Sequence, residues 1–383
     1  MTQHRNTLLQ ASKVATAVVL LVAFVAAIAL DVHLIHGSGT GGITPLSLSL
    51  SPATQTASIG GGQGLVVATL RDAATSALVP GARLSFAVET GPNTGISGTC
   101  FPSTCTTDSN GQVDWGYQAS NIGTDTVEGW VDSNGNGLPD GDEPQATAGV
   151  SWVYPTTSAE SGSWAGYVLT NPPLRSVTAL ITVPTVPSGC ATSRYSSFWV
   201  GFNGWIHDTN FLPQIGFNAD CRASDVARNT TACGPQTGPA YYLWWELNPH
   251  TGLNSICSLQ VRPGDRVFVN VQPSASQVIL TAFVMRPDGS IGPTWSQTFP
   301  VRNASYSSME CIAEDPLSGR PVPFTSFGSV QFDGCSAIRD FRAGSTLLRV
   351  DMFMPGRQHV LEATTSPITM SGAVSFTVAR VDG

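Results

Sequence analysis

Alternating apolar and polar positions recur along the first half of the chain and predict short, half-buried β-strands. Leu46–Ser51 reads LSLSLS, Leu65–Leu70 reads LVVATL and Gln112–Tyr117 reads QVDWGY. Turn-forming sequences such as Val79–Gly81 (VPG) separate these runs. Short strands at a spacing of about 8–12 residues are typical of a β-sandwich. Residues 43–155 are therefore predicted to form one sandwich domain.

The second half of the chain has the same period of two and no sustained helical period. Clear examples are Val177–Val183 (VTALITV), Gln277–Met285 (QVILTAFVM) and Ala373–Val381 (AVSFTVARV). A short stretch rich in Thr and Ser, Thr156–Ser163, lies between the two halves. The chain is therefore predicted to be all-β, with a second antiparallel sandwich over residues 156–383.

The N-terminal segment carries an export signal. Arg5 and Lys13 precede an uncharged apolar run, Val14–Leu30, and a Gly/Ser spacer follows at Gly37–Gly42. Positive residues before such a run are typical of a segment that enters a membrane with its N-terminus inside. The run is longer than a usual signal-peptide core and slightly short of a full membrane span. Residues 1–42 are predicted to be a signal peptide or membrane anchor plus spacer, and the remaining chain is expected to be secreted or anchored on the outer face of the membrane.

Eight cysteines agree with an extracytoplasmic location, where an even number predicts a disulfide framework. Cys100 and Cys105 are the two cysteines of the first half and are predicted to close a small loop. The other six lie in the second half, and the sequence leaves their pairing open. A net charge of −8 argues against nucleic acid as an electrostatic partner.

The segment 132–143, DSNGNGLPDGDE, places side-chain oxygens at alternate positions around glycines. Calcium prefers such oxygen ligands, so a structural Ca²⁺ site is one interpretation. A solvated turn is the alternative, because Asn, Asp and Gly are also turn formers. The candidate ligands are Asp132, Asn134, Asn136, Asp140, Asp142 and Glu143.

The signatures of several hydrolases are missing from the sequence. It contains neither the G-x-S-x-G of a nucleophile elbow nor the H-E-x-x-H of a zinc peptidase. What remains is acidic residues within apolar stretches, notably Glu246 in YYLWWELNP and Glu314 in ECIAEDP. Burying such a carboxyl raises its pKa and is costly, which makes both residues candidates for chemistry.

The order of motifs in the second half resembles that of the glutamic peptidases (eqolisins). The matching stretches are SWAGYV (Ser163–Val168), ITVPT (Ile181–Thr185), FWVGFNG (Phe198–Gly204), QIG (Gln214–Gly216), YYLWWELNP (Tyr241–Pro249), ECIAED (Glu310–Asp315) and FGSVQF (Phe327–Phe332). The resemblance implies a lectin-like, concanavalin-type sandwich of two antiparallel sheets. It also implies an endopeptidase that hydrolyses protein or peptide substrates at acidic pH without a cofactor.

The same resemblance assigns roles to individual residues. Gln214, in the Q-x-G motif, and Glu314, in the second half of the E-x-I-x-E-D motif, correspond to the catalytic pair. Trp199, Trp244 and Glu246 correspond to residues that line the substrate cleft. One departure is Cys311, which stands where relatives commonly have Trp and is a candidate for a disulfide.

Elementary chemistry is compatible with this pair. A Glu carboxyl can exchange protons with water and a leaving nitrogen, and the Gln amide can stabilise an oxyanion and orient water. An ordinary carboxyl pKa near 4.3 is consistent with acidic activity. Glu310 is the nearest competitor of Glu314, because an even separation in a strand places both on one face. The family position favours Glu314.

The first domain resembles bacterial immunoglobulin-like domains of the invasin type. The stretches that match are LRDAATSALVPGARLSF, TDSNGQVDWGY and GTDTVEGWVD. The resemblance implies a spacer or adhesive arm, and an inhibitory domain is a further interpretation.

Two other functions stay open at this point. The chain could be a non-catalytic cell-surface adhesin or glycan-binding protein. It could instead be a glycosidase, which needs Glu246 and Glu314 about 5–9.5 Å apart.

Overall fold

The computed structural model describes most of the chain in two compact units. Unit 1 comprises Gly62–Trp152 with residues up to Ala57, and unit 2 comprises Val153–Gly383 with Ser58–Gly61. The described residues are 45–381 except 174, 206–210, 224–232, 234–236, 302–304, 317–322, 343, 355–359 and 371–373. The apolar run predicted to direct export, residues 14–30, lies outside them. Within the described ranges, no helix is both long and apolar enough to cross a membrane.

Unit 1 is built from two four-stranded antiparallel sheets, with the strand orders β1-β3-β6-β5 and β2-β8-β7-β4. Its strands are β1 (Leu46–Ser51), β2 (Thr54–Ser58), β3 (Gly64–Asp72), β4 (Leu84–Thr90), β5 (Thr99–Phe101), β6 (Gln112–Tyr117), β7 (Gly123–Val131) and β8 (Gln145–Val153). The predicted alternation is present. In β3, for example, Val66, Ala68 and Leu70 are buried whereas Leu65 is exposed. The resemblance of this unit to an immunoglobulin-like domain stays a prediction.

The described residues of unit 2 form one continuous sheet of 16 strands and one helical turn, α1 (Ser336–Arg339). Its strands are β9 (Thr156–Ser161), β10 (Trp164–Thr170), β11 (Val177–Thr182), β12 (Ser197–Phe202), β13 (Leu212–Arg222), β14 (Gly238–Asn248), β15 (Asn254–Ile256), β16 (Arg266–Pro273), β17 (Gln277–Met285), β18 (Trp295–Pro300), β19 (Ser308–Glu314), β20 (Ser329–Asp333), β21 (Thr346–Phe353), β22 (Leu361–Thr365), β23 (Thr369–Met370) and β24 (Val374–Arg380). The predicted all-β fold class is confirmed.

The sheet of unit 2 folds back on itself, so that β11, β16 and β17 pack over β12 and β13. Between these layers lies the main core, to which β16 contributes Val267, Val269 and Val271 at alternate positions. In contrast, β13 is buried at almost every position. Both faces of β13 are covered, because a second, smaller cluster of aromatic and aliphatic side chains lies on the side away from the main core.

Four disulfides use all eight cysteines. Cys100 and Cys105 are joined, which confirms the predicted small loop. The other bonds, which the sequence left open, are Cys190–Cys221, Cys233–Cys257 and Cys311–Cys335. The disulfide of Cys311 anchors the middle of β19 in the main core.

Candidate active site

Four neighbouring strands, in the order β14-β13-β12-β19, carry the residues singled out by the sequence. The core side of these strands carries Ile215, Leu243 and Cys311, among others. We call the opposite side the cleft face. Because side chains alternate along a strand, Trp199 and Ile312 belong to this face, within the smaller cluster.

Register places the candidate polar residues in rows across the cleft face. Gln214 of β13 lies opposite Glu246 of β14 on one side and opposite Gly201 of β12 on the other. Gly201 in turn lies opposite Glu310 of β19. Glu314 lies two rows further along, opposite Ser197. The even separation of Glu310 and Glu314 therefore does place both on one face, as predicted.

The amide of Gln214 is held within this row. Its Nε2 donates a hydrogen bond of 2.9 Å to Oε2 of Glu246. The side chain is buried, and its Oε1 has no hydrogen-bond partner among the described residues. Desolvation raises the pKa of Glu246, and the bond from Gln214 partly offsets that effect. Glu246 is thus a neighbour of the Gln214 amide as well as a cleft residue.

Glu314 combines access with desolvation. It ends β19 and is only partly covered, and the indole Nε1 of Trp199 donates to its Oε2 at 2.7 Å. Desolvation of the carboxyl raises its pKa to about 7, although hydrogen bonds from Trp164 and Trp199 act in the opposite direction. The negative charge of Glu246 makes a smaller contribution that also raises the pKa of Glu314. The raised pKa values expected for Glu246 and Glu314 are confirmed.

The two predicted tryptophans form the floor of the cleft face. Trp199 and Trp244 are buried in the smaller cluster, together with Tyr242 and Ile312. The ring of Trp164 packs edge-on against Trp199 with centroids 5.0 Å apart. Packing alone does not explain Trp244, because its Nε1 is buried without a hydrogen-bond partner in the described part of the chain.

Steric crowding explains why the third residue of the Q-x-G motif, Gly216, is a glycine. A Cβ on Gly216 would lie 2.2 Å from the backbone oxygen of Phe198 and 2.5 Å from Cβ of Trp199. Only glycine therefore lets β13 approach β12 where Trp199 lies opposite.

A buried polar network next to Glu314 was missed by the sequence reasoning. Ser197 Oγ donates to Asn218 Oδ1 at 2.6 Å, and Asn218 Nδ2 donates to Asp220 Oδ1 at 3.2 Å. The hydroxyl of Tyr242 donates to Asp220 Oδ2 at 3.1 Å. Burial raises the pKa of Asp220 to about 7 despite Arg222 nearby. The signal was present, because positions 214, 216, 218 and 220 follow the period of two from Gln214.

The loop predicted to bind calcium satisfies its own oxygens. Asp132 accepts from Ser85 and pairs with Arg83, and Glu143 accepts from the backbone N–H and hydroxyl of Ser133. Asp140 accepts from two Asn side chains of the loop. Across the described residues, no group of three or more His, Cys, Asp or Glu could hold a metal ion. The Ca²⁺ site considered at Asp132, Asn134, Asn136, Asp140, Asp142 and Glu143 is therefore not supported, and several of these side chains instead accept from donors within or beside the loop.

Comparison with known proteins bears on unit 2. The model of the Peptidase A4 family matches residues 162–366. No curated protein sequence matches the chain. Among solved structures, scytalido-glutamic peptidase with a transition state analog inhibitor is 18% identical, with a TM-score of 0.40, and covers 58% of this chain and 99% of its own. Aspergilloglutamic peptidase from Aspergillus niger is 22% identical, with a TM-score of 0.32, and covers 49% of this chain and 99% of its own. The family match spans more than half of the chain, and the chain belongs to the Peptidase A4 family.

Proposed function

We propose that unit 2 is an acid endopeptidase in which Gln214 and Glu314 carry the reaction. The observation that carries this proposal is the state of Glu314, a carboxyl that is accessible at the cleft face and yet has a pKa raised to about 7. Such a carboxyl keeps its proton at acidic pH and can both give and accept protons.

The proposed first step is addition of water to the peptide carbonyl. One oxygen of Glu314 accepts a proton from water as the water oxygen bonds to the carbonyl carbon. The other oxygen of Glu314 gives its own proton to the carbonyl oxygen. Glu314 thus ends the step protonated again, and a neutral tetrahedral diol is formed.

The second step breaks the carbon–nitrogen bond. Glu314 gives its proton to the leaving nitrogen and recovers one from a hydroxyl of the diol, which leaves a carboxylic acid and a free amine. Gln214 stabilises the oxygen on which negative charge develops, through the N–H of Nε2 that is not bonded to Glu246. A donor in such a position is worth roughly 3–4 kcal/mol of barrier. The chemistry uses only protein side chains and water.

Glu246, Trp199 and Trp244 have supporting roles in this proposal. Glu246 holds the Gln214 amide, Trp199 donates to Glu314, and Trp244 forms part of the floor beneath the substrate.

We also propose that the protein works outside the cytoplasm, secreted or tethered through residues 14–30. The pairing of all eight cysteines supports this location, because disulfides persist in oxidising compartments. In this proposal residues 43–155 act as a spacer or adhesive arm for the peptidase domain.

The test is cleavage of an unfolded protein substrate by the full chain from pH 2 to 8, beside Gln214→Ala and Glu314→Gln. We expect activity on the acidic side that declines as pH rises through about 7, where Glu314 loses its proton. Both variants should lose at least about a hundredfold in kcat, as expected for removal of an oxyanion donor or a proton-transfer group. Full activity in either folded variant would refute the proposed pair. Absence of cleavage by folded wild type, with binding to glycan or cell surface instead, would favour the adhesin.

A further inference from the structure

Glu310 lies on the cleft face and takes no part in the reaction proposed above. It is completely buried and occupies the same row as Gln214, with only Gly201 of β12 between them. A Cβ on Gly201 would lie 3.1 Å from Cβ of Gln214 and 2.9 Å from the ring of Trp199. The position between Glu310 and Gln214 therefore has room for no side chain of its own, and the two polar groups face each other across a glycine.

The two polar groups have complementary needs. Oε1 of Glu310 accepts from the backbone N–H of Gly204 at 3.2 Å. The carbonyl-type oxygen is the better acceptor, so the bond from Gly204 favours the form of protonated Glu310 in which Oε2–H is a donor. Among the described residues, neither this Oε2 nor Oε1 of Gln214 has a hydrogen-bond partner. A buried donor and a buried acceptor in one row are thus both unpaired.

Glu246 cannot fix the Gln214 amide by itself at acidic pH. Its own pKa is raised by burial, so it holds a proton there and can either donate to the amide oxygen or accept from the amide nitrogen. The Gln214 amide could then form a hydrogen bond with Glu246 whether it presents Nε2 or Oε1. A donor with a fixed direction at the other end would select the orientation that aims Nε2 at Glu246.

We propose that Glu310 is a positioning residue whose protonated carboxyl donates a hydrogen bond, directly or through one water molecule, to Oε1 of Gln214. This inference rests on the proposed role of Gln214. It makes Glu310 the group that keeps the second N–H of Nε2 directed at the reacting oxygen. Burial raises the pKa of Glu310 to about 8, so the donor is retained over the whole acidic range.

The surroundings of Glu310 add no competing charge. Val168 lies opposite it on β10 and Gly201 on β12, and Ser308 precedes it by two residues on its own strand. Among the described residues, the ionisable groups on the cleft face of the packed strands are Asp220 on β13, Tyr242 and Glu246 on β14, and Glu314 on β19. Of these, only Glu246 lies in the row of Glu310.

Two substitutions at Glu310 distinguish the loss of a hydrogen-bond donor from the loss of side-chain volume. Glu310→Gln keeps an N–H donor at the same length, and Glu310→Met keeps the length without a donor. At pH 4 in the full chain, we expect Glu310→Met to lower kcat by about 10–100-fold, because a misdirected amide forfeits part of the oxyanion contribution. KM should stay within about threefold, and Glu310→Gln should retain kcat within about fivefold. Met309→Leu is the matched control, since it changes a buried side chain of the same strand on the core side at nearly constant volume, and it should leave kcat within about threefold.

A double-mutant cycle with Gln214→Ala shows whether Glu310 acts through the amide. In the Gln214→Ala background, Glu310→Met should cause no further loss of kcat. Two results would overturn the inference and leave the Gln214–Glu314 pair intact. One is a loss of kcat in the double variant that equals the product of the losses in the two single variants. The other is that Glu310→Gln and Glu310→Met lower kcat equally and lower the melting temperature equally. Full activity of Gln214→Ala itself would instead refute the proposed function.

A spectroscopic measurement covers the case in which Glu310→Met does not fold. The ¹⁵N resonance of the Gln214 side chain, assigned with Gln214→Ala, should shift in wild type as pH rises through about 8, the pKa of Glu310. That step should vanish in Glu310→Gln, whereas steps from Glu246 and Glu314 remain. Identical titrations in the two proteins would overturn the inference.

Discussion

Asp220 gives a quantitative prediction about how stability depends on pH. Its side chain is inaccessible to solvent, and burial raises its pKa from 3.8 to about 7. At about 1.4 kcal/mol per pH unit, this difference amounts to roughly 4 kcal/mol. Because the folded state binds the proton more tightly than the unfolded state, this stabilisation is complete below pH 3.8. It is lost as pH rises toward 7.

The perturbation is Asp220→Asn, which keeps the size and removes the titration. The assay measures the free energy of unfolding in urea from pH 3 to 8, using the unfolding transition that the substitution shifts. The stability of wild type relative to the variant should fall by up to about 4 kcal/mol between pH 4 and 7 and then level off.

Tyr242→Phe serves as a companion variant. The hydroxyl of Tyr242 donates to Asp220 and lowers the pKa of that carboxyl, so its removal should extend the decline to higher pH. A flat difference between wild type and Asp220→Asn, or one that rises with pH, would refute the reasoning that Asp220 is buried with its proton.

Three further predictions concern the site and its support. Trp199→Phe removes the 2.7 Å hydrogen bond to Glu314, a bond that stabilises the charged carboxylate and so lowers its pKa. The pH at which kcat/KM declines should therefore rise by about 1 pH unit or more. An unchanged pH profile would argue against that bond. Replacing Cys311 and Cys335 together by Ala should lower the free energy of unfolding by about 3 kcal/mol, since their bond spans 24 residues, and calorimetry would show it. Gly216→Ala places a Cβ 2.2 Å from a backbone oxygen, so the folded fraction measured by circular dichroism should drop, and a stable active variant would contradict the close approach of β12 and β13.

Local patterns predicted most of the fold. Period-two runs gave strands such as β3, β16 and β17 together with the faces that they bury, because alternation is a property of each strand alone. The same rule placed Glu310 and Glu314 on one face. Cross-strand neighbours could not be predicted in this way, since register depends on pairing between distant parts of the chain. The bond between Gln214 and Glu246, which are 32 residues apart, is one example.

Two details of the site depend on contacts that local sequence does not show. For the loop 132–143 the sequence left a Ca²⁺ site and a solvated turn as alternatives, and the structure favours the turn, because side-chain oxygens there accept from donors within and beside the loop. Local composition does not distinguish these outcomes. For Glu314, apolar neighbours correctly indicated a raised pKa, but a value of about 7 also reflects the nearby charge of Glu246, which only the folded sheet brings close.

Because side chains alternate along β19, substitutions at its even positions change the cleft face and substitutions at its odd positions change the main core. Glu310, Ile312 and Glu314 face the cleft, whereas Met309 and Cys311 face the main core. Changes at even and odd positions of this strand touch different neighbours, so their effects on free energy should be close to additive. In the proposed function Glu310 and Glu314 cannot vary, so among these residues a change of substrate preference would have to come through Ile312, while Met309 and Cys311 preserve the scaffold.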